Sequence, residues 1–331
     1  MSPHQPARLG LLQISLAGVL WGTGGLAVQV IREAEPMSVI VISAYRMLIA
    51  AVVLVAAVLA LRRLGSLTRL LRERPWRASL VGASTAAYQA LYFGAVVQVG
   101  VSVATVLSLG LAPVLLTVGE SVHARRLPAG GRVAVLAAAL AGLLLVAVGA
   151  GIGETGPHPV LGVLAAAGSG STYALTTVLG RPLAQRAGPL ALTTTTTAVG
   201  ALVLLPLALL SGSVSGSVSG SAGGPLLSSD PVVLATLAYL GVLTMALAYG
   251  LLYAGLRTTP GSSAVIATLL EPVTAALAAA AFLGERIGLA GAAGTGLILA
   301  AVAGLGKEPA VTPGGPLPAR TSWRRRDASS P

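Results

Sequence analysis

Apolar residues come in long, nearly unbroken runs along this chain. They show neither the period-two alternation of a half-exposed strand nor the narrow stripe of a surface helix. A run of about 17–25 apolar residues is long enough to cross a bilayer as a helix. Ten such runs are present: 9–31, 36–61, 77–99, 101–120, 132–150, 159–179, 188–210, 232–255, 261–283 and 288–306. The pattern predicts an all-α membrane protein of ten transmembrane helices. The first run exceeds the 7–15-residue core of a cleaved signal peptide, so it is read as a retained helix.

Composition agrees with that reading. Charged residues make up only 9% of the 331 and the mean hydropathy is +0.86, whereas a soluble domain carries about 25% charged residues. The net charge of +11 would suggest nucleic acid in a soluble chain. Here the basic residues sit between apolar runs, so the charge reports topology and no nucleic-acid partner is expected. With both ends inside, eighteen of the 21 Lys and Arg fall in inner segments, Arg32 and Arg286 fall outside, and Arg46 lies within a run. That bias predicts an even number of spans with cytoplasmic termini. Heavy use of Arg, Gly, Ala and Val points to a GC-rich bacterial genome, hence to a bacterial cytoplasmic membrane. There is no cysteine, and His4, His123 and His158 lie outside the apolar runs. Thiol chemistry is therefore excluded, and neither a metal nor a cofactor is expected.

The two halves resemble each other. Gly-Val-Leu at 18–20 recurs at 162–164, and Ala-Pro-Val at 112–114 is matched by Glu-Pro-Val at 271–273. The two offsets differ by the length of the repetitive stretch Ser211–Pro225. A duplicated five-helix unit with one loop insertion would give this pattern. An odd number of spans per unit forces the copies into opposite orientations, as in many transporters, with the substrate site between them near midplane. The expected division is a cytoplasmic N-terminus (1–8), a first unit (9–150), a second unit (159–306) holding a flexible Gly/Ser loop (211–231), and a disordered cytoplasmic tail (307–331) whose Arg324–Arg326 cluster either touches anionic lipid or is simply solvated.

Rare polar residues within the runs mark candidate chemistry. Glu271 is followed at once by Pro272. A carboxylate at bilayer depth costs roughly 2.5–3.5 kcal/mol on insertion scales, and such groups face a bundle interior or a watery cavity. The proline removes a backbone donor and loosens the preceding turn, which membranes tolerate only where protein or a cavity re-satisfies the backbone. Glu271 either binds a cationic group or a coupling proton, or holds the break together. Arg46 lies ten residues past Pro36, roughly 15 Å along a helix and so near mid-bilayer. It either holds a substrate carboxylate, pairs with Glu271, or tethers helices through carbonyls. Trp21, Tyr88, Tyr92, Tyr173, Tyr249 and Tyr253 are concentrated in the runs of a chain only 4% aromatic. Tyr88 and Tyr92 share a helix face, as do Tyr249 and Tyr253, and Gln89 adds an amide. These rings either line a cavity for apolar or aromatic solutes, or serve packing and an interfacial belt, where Tyr253 is the shallowest. The candidate substrate-binding set is Trp21, Arg46, Tyr88, Gln89, Tyr92, Tyr173, Tyr249 and Glu271.

Other polar and small residues suggest packing. Hydroxyls of Thr193–Thr197 can bond the preceding turn, so helix packing is favoured over pore lining. Gly18 and Gly22 form a GxxxG, and Gly291, Gly294 and Gly296 crowd the tenth run. Both favour close helix contacts within one chain or in a homodimer. Glu120, His123, Arg125 and Arg126, and Glu285 with Arg286, stand at run ends either as gate salt bridges or as solvated loop charges.

Trp21-Gly22, Tyr45-Arg46, Ala112-Pro113, Leu270-Glu271-Pro272-Val273 and Leu283-Gly284-Glu285-Arg286, in this order over residues 9–306, resemble the ten-helix EamA branch of the drug/metabolite transporter superfamily. The resemblance implies two inverted EamA-like repeats, cytoplasmic ends, alternating access, and export or exchange of small metabolites, amino acids or drugs, with protons as a suspected coupling ion. One departure is that His123-Ala124-Arg125-Arg126-Leu127 stands where the first half would carry its own Leu-Gly-Glu-Arg.

Three functions compete on these residues: a secondary transporter, an intramembrane enzyme and a non-transporting scaffold. The sequence holds no HExxH, GxSG or P-loop and no histidine within a run. A self-contained ATP-driven pump is thereby excluded, and a transporter in contact with a small-molecule substrate and the lipid bilayer is the expectation.

Overall fold

The computed structural model describes residues 4–151, 156–213, 225–282 and 288–305. Helices dominate, and no strand occurs among the described residues. In order they are α1 (His4–Ala34), α2 (Val39–Ala60), α3 (Leu64–Glu73), α4 (Pro75–Ala124), α5 (Gly130–Gly149), α6 (Pro159–Ala187), α7 (Pro189–Ser213), α8 (Pro231–Tyr239), a π-helical stretch (Leu240–Leu247), α9 (Ala248–Leu256), α10 (Gly261–Ala267), α11 (Leu270–Phe282) and α12 (Leu289–Leu305). By length and composition seven described stretches can cross a membrane, among them Pro231–Leu256 (α8 through α9) and Gly261–Phe282 (α10 with α11), and Leu289–Leu305 is a shorter apolar helix.

Local chemistry sets the helix starts. The Ser38 hydroxyl accepts from the Val41 N–H, and Asp230 Oδ1 accepts from Val232 and Val233, satisfying donors that have no intrahelical partner. Pro75, Pro159 and Pro231 stand in the first turn of their helices, where a missing N–H costs nothing. α4 counts 50 residues but is not one rod. Gly100 takes φ 77° and ψ 163°, a conformation open only to glycine. The Tyr92 and Thr105 hydroxyls share a hydrogen bond of 2.8 Å across this point. In a straight helix their Cα atoms would lie about 20 Å apart. The chain therefore folds back at Gly100, and the predicted runs 77–99 and 101–120 are separate arms of a hairpin.

The principal packing partners come from opposite halves of the chain: α4 with α6, α5 with α12, α2 with α7, and α1 with α9 and α11. The surface inverts that of a soluble protein. Val160 and Leu202 are more than 70% exposed, while Thr193–Thr197, Ser169 and Gln89 are buried. Glycines close the tightest crossings. A Cβ on Gly142 would meet the Gly294 carbonyl oxygen at 2.7 Å, and one on Gly149 would meet the Gly291 nitrogen at 2.7 Å. A Cβ on Gly22 would lie 2.5 Å from the Glu271 carbonyl oxygen, and one on Gly18 would lie 3.1 Å from that of Thr268. The glycine signals at Gly18, Gly22, Gly291 and Gly294 are thus used within one chain, whereas Gly296 has open space around it.

Several expectations change. The polar stretch after the second run contains α3, whose ten residues are too short and too charged to register as a span. The ninth run, 261–283, is not continuous. It stops at Ala267, turns through Thr268 and Leu269, and restarts at Leu270, because Pro272 cannot donate to the Thr268 carbonyl. The Glu271 N–H takes that carbonyl instead, at 2.9 Å. The eighth run passes through the π-helical stretch. Tyr253 is not an interfacial residue: it is fully buried, within 3.4 Å of the Thr196 hydroxyl. Leu283-Gly284-Glu285-Arg286, residues 214–224 of the Gly/Ser loop and the tail from 306 onward lie outside the described residues.

Candidate functional site

Glu271 beside the helix break, Tyr88 with Tyr92, and Tyr249 converge on one cavity of about 280 Å³. α1 brings Trp21, α2 Arg46, α4 Tyr88, Gln89 and Tyr92, α6 Tyr173, α9 Tyr249 and α11 Glu271, and all of them line it. The candidate set predicted from sequence is therefore brought together in full, from both halves of the chain. The cavity also reaches Arg32, Val39 and Val101. From Trp21 to Arg32 is about 16 Å along α1, so it runs from the middle of the bundle to the end where α1 stops and α2 starts.

Six aromatic rings contribute to the wall. Trp21 meets Tyr249 edge-on with centroids 5.0 Å apart, and Tyr88 lies 5.2 Å from Tyr173 and 6.3 Å from Tyr92. Such pairs fix one another's orientation and leave faces free for an apolar or aromatic guest. Two of these polar edges are tied to other helices. Tyr173 donates to Thr268 Oγ1 at 2.9 Å, since that hydroxyl already donates to the Val265 carbonyl. Trp21 Nε1 donates to the Thr244 carbonyl at 2.8 Å.

The ionisable groups are less satisfied. Arg46 Nη2 donates to Thr244 Oγ1 at 3.2 Å, but its Nε is buried with no hydrogen-bond partner. The tether is thus to a hydroxyl and not to carbonyls. Arg46 and Glu271 face the same cavity without forming an ion pair; among the described residues the one ion pair is Arg132 with Glu120. The amide nitrogen and oxygen of Gln89 are both buried and unpartnered. Unpaired buried polar atoms are costly, and both residues that carry them stand in the cavity wall.

Thr244 and Thr268 escaped the sequence reading. Thr244 sits in the π-helical stretch, a feature frequent at functional sites, and orients both Trp21 and Arg46. A lone threonine in an apolar run carries no signal, because most simply bond their own helix. Thr193, Thr194, Thr195 and Thr197 do so, each to the carbonyl four residues back, and none lines the cavity.

At the opposite end of the bundle the halves meet closely. Glu120, at the end of α4, accepts from the Ser262 N–H at 3.0 Å and from its hydroxyl at 2.6 Å. Arg132 donates to Glu120 at 2.7 Å and also contacts Ser262 Oγ. Glu120 is therefore not a free loop charge, whereas His123, Arg125 and Arg126 are exposed.

Known proteins with this design are recognisable. The model of the EamA-like transporter family matches twice, over residues 8–148 and 160–306. A Bacillus subtilis (strain 168) protein described as the uncharacterized transporter YwfM is 29% identical over 279 residues, covering 83% of this chain and 86% of the relative. A solved structure titled only "Crystal structure of protein" superposes with a TM-score of 0.72 at 20% identity, over 89% of this chain and 95% of that one; it speaks to the fold alone. With both halves matched, this multi-pass membrane protein belongs to the EamA-like transporter family.

Proposed function

We propose that the chain is a secondary transporter, an exporter or exchanger, that moves a small solute across a bacterial plasma membrane by alternating access. Ten apolar segments cross the bilayer as two inverted five-helix units, 9–150 and 159–306, with both ends in the cytoplasm. The fold-back at Gly100 and the double family match support that count and the duplication. Substrate binds in the cavity between the units, through Trp21, Arg46, Tyr88, Gln89, Tyr92, Tyr173, Tyr249 and Glu271.

The carrying observation is that a guanidinium and a carboxylate not paired with each other, an amide without a hydrogen-bond partner and six aromatic rings line one cavity. Arg46 suits an anionic group, Glu271 a cationic one, and the rings an apolar or aromatic body. Together they suit a zwitterion of amino-acid size. The cavity reaches the end of α1 and the Glu120 contacts join the units at the other end, which suits an outward-open state. Glu271 carries the coupling proton.

The test begins with metabolite profiles of cells with and without the protein. The solute whose distribution changes is then labelled and followed by counterflow in proteoliposomes. A transporter exchanges it unaltered. Chemical conversion of the solute would indicate an intramembrane enzyme. No movement of any candidate would leave a scaffold.

A further inference from the structure

Six arginines, Arg62, Arg63, Arg69, Arg72, Arg74 and Arg77, crowd one short stretch and take no part in the cavity. Between them lies α3, at the end of the bundle away from the cavity mouth, since α2 runs from Val39 beside the mouth to Ala60 just before it. At about 100° per residue, the four leucines of α3 fall on one arc of about 120°. Leu70, on one edge of this arc, is buried against the bundle, while Leu64 and Leu71, on the other, are 48% and 44% exposed. Arg69 and Arg72 continue around the helix from that exposed edge and are exposed themselves. Just beyond α3, Trp76 is 61% exposed, with the Arg77 guanidinium 5.0 Å from its ring centroid.

The protein does not neutralise this charge. Glu73 is the one acid between residues 61 and 78, and none of the six arginines forms an ion pair among the described residues. Arg77 Nε is buried without a hydrogen-bond partner. Exposed leucine and tryptophan beside unpaired arginine make a surface that is apolar at one edge and cationic at the next. Water solvates only one of these, and an anionic membrane surface satisfies both.

We propose that α3 and its flanking arginines form a site for anionic phospholipid headgroups. Leu64, Leu71 and Trp76 rest among the acyl chains, and Arg69, Arg72 and Arg74 hold the phosphates. The site anchors the linker between α2 and α4 to the membrane surface.

Native mass spectrometry of the full chain, titrated with phosphatidylglycerol or phosphatidylcholine of the same acyl composition, tests this. Wild type is expected to retain at least about fivefold more of the anionic lipid, the attraction of one basic residue at a charged surface. The triple variant Arg69→Gln, Arg72→Gln, Arg74→Gln should lose that preference. A control triple, Arg125→Gln, Arg126→Gln, Arg257→Gln, should keep it. Equal retention of both lipids by wild type, equal loss in both triples, or displacement of the lipid by millimolar inorganic phosphate overturns the proposal. If the triple does not fold, the single Arg72→Gln and the quenching of tryptophan fluorescence by chain-brominated phosphatidylglycerol, which should fall in Trp76→Phe though Trp21 and Trp323 remain, carry the same decision; unchanged quenching in Trp76→Phe overturns the proposal.

Discussion

Glu120 holds Ser262 from 142 residues away: one carboxylate oxygen accepts from its backbone N–H at 3.0 Å and the other from its hydroxyl at 2.6 Å. The contact ties the end of α4 to the start of α10, which leads into the helix break before Glu271. If the halves rock around the cavity, this end must part, and Glu120 is then the bond that has to break. A charge-assisted hydrogen bond is worth about 1.5–3 kcal/mol. Glu120→Ala should therefore shift the balance toward opening at this end by about tenfold or more. The chain has no cysteine, so a single Thr177→Cys beside Gly261 serves as a reporter. Labelling by a membrane-impermeant thiol reagent in inside-out vesicles should rise with Glu120→Ala and less so with Arg132→Gln. Unchanged labelling would show that the contact is not a latch.

The crossing of α1 over the break in the ninth run depends on Gly22. Any Cβ there would strike the Glu271 carbonyl and the Thr274 side chain. Overpacking of this kind costs about 1–3 kcal/mol. Gly22→Ala should lower thermal stability in detergent and displace Glu271, reducing transport. Gly25→Ala, one turn on with nothing within 4 Å, should leave thermal stability unchanged. Equal stability of the two variants would remove close approach as the reason for glycine at position 22.

Thr244→Val keeps the carbonyl that receives Trp21 and deletes the hydroxyl that receives Arg46. If Arg46 binds an anionic group of the solute, the loss of a hydrogen bond worth about 0.5–1.5 kcal/mol should weaken affinity roughly two- to tenfold. Combined with Arg46→Gln, the two effects should not add, because the threonine acts through the arginine. Additive losses in the double variant would place Thr244 in direct contact with the solute instead.

Much of this site was legible because bilayer depth makes polar residues conspicuous. Arg46, Glu271 and Gln89 stand out in apolar runs, and scarce tyrosines at four-residue spacing reveal a shared face. Thr244 was hidden by the ease with which threonine bonds its own helix. The Glu120–Ser262 contact was hidden because nothing local says which loop meets which. α3 was passed over because span-length reading ignores a short amphipathic helix at the surface. Pro272 did announce a break, but the turn itself falls at Thr268 and Leu269, where the missing donor is felt.

Glu271 gives the sharpest test of mechanism. Its carboxylate lines the cavity with Arg46, Tyr88, Tyr173 and Tyr249 around it, and it has no ion-pair partner among the described residues. A group placed to bind a proton or a cationic substrate leaves different signatures when made permanently neutral. In Glu271→Gln the amide keeps the shape of the side chain but cannot exchange a proton. If Glu271 carries the coupling proton, uphill transport driven by a pH gradient should fall to background while counterflow of labelled solute persists, because exchange needs no net proton movement. If it binds only the cationic end of the solute, both assays should weaken together through affinity. Should Glu271→Gln retain full pH-driven accumulation, the carboxylate is there to hold the break between α10 and α11, and its thermal stability, compared with that of Glu271→Ala, should show it.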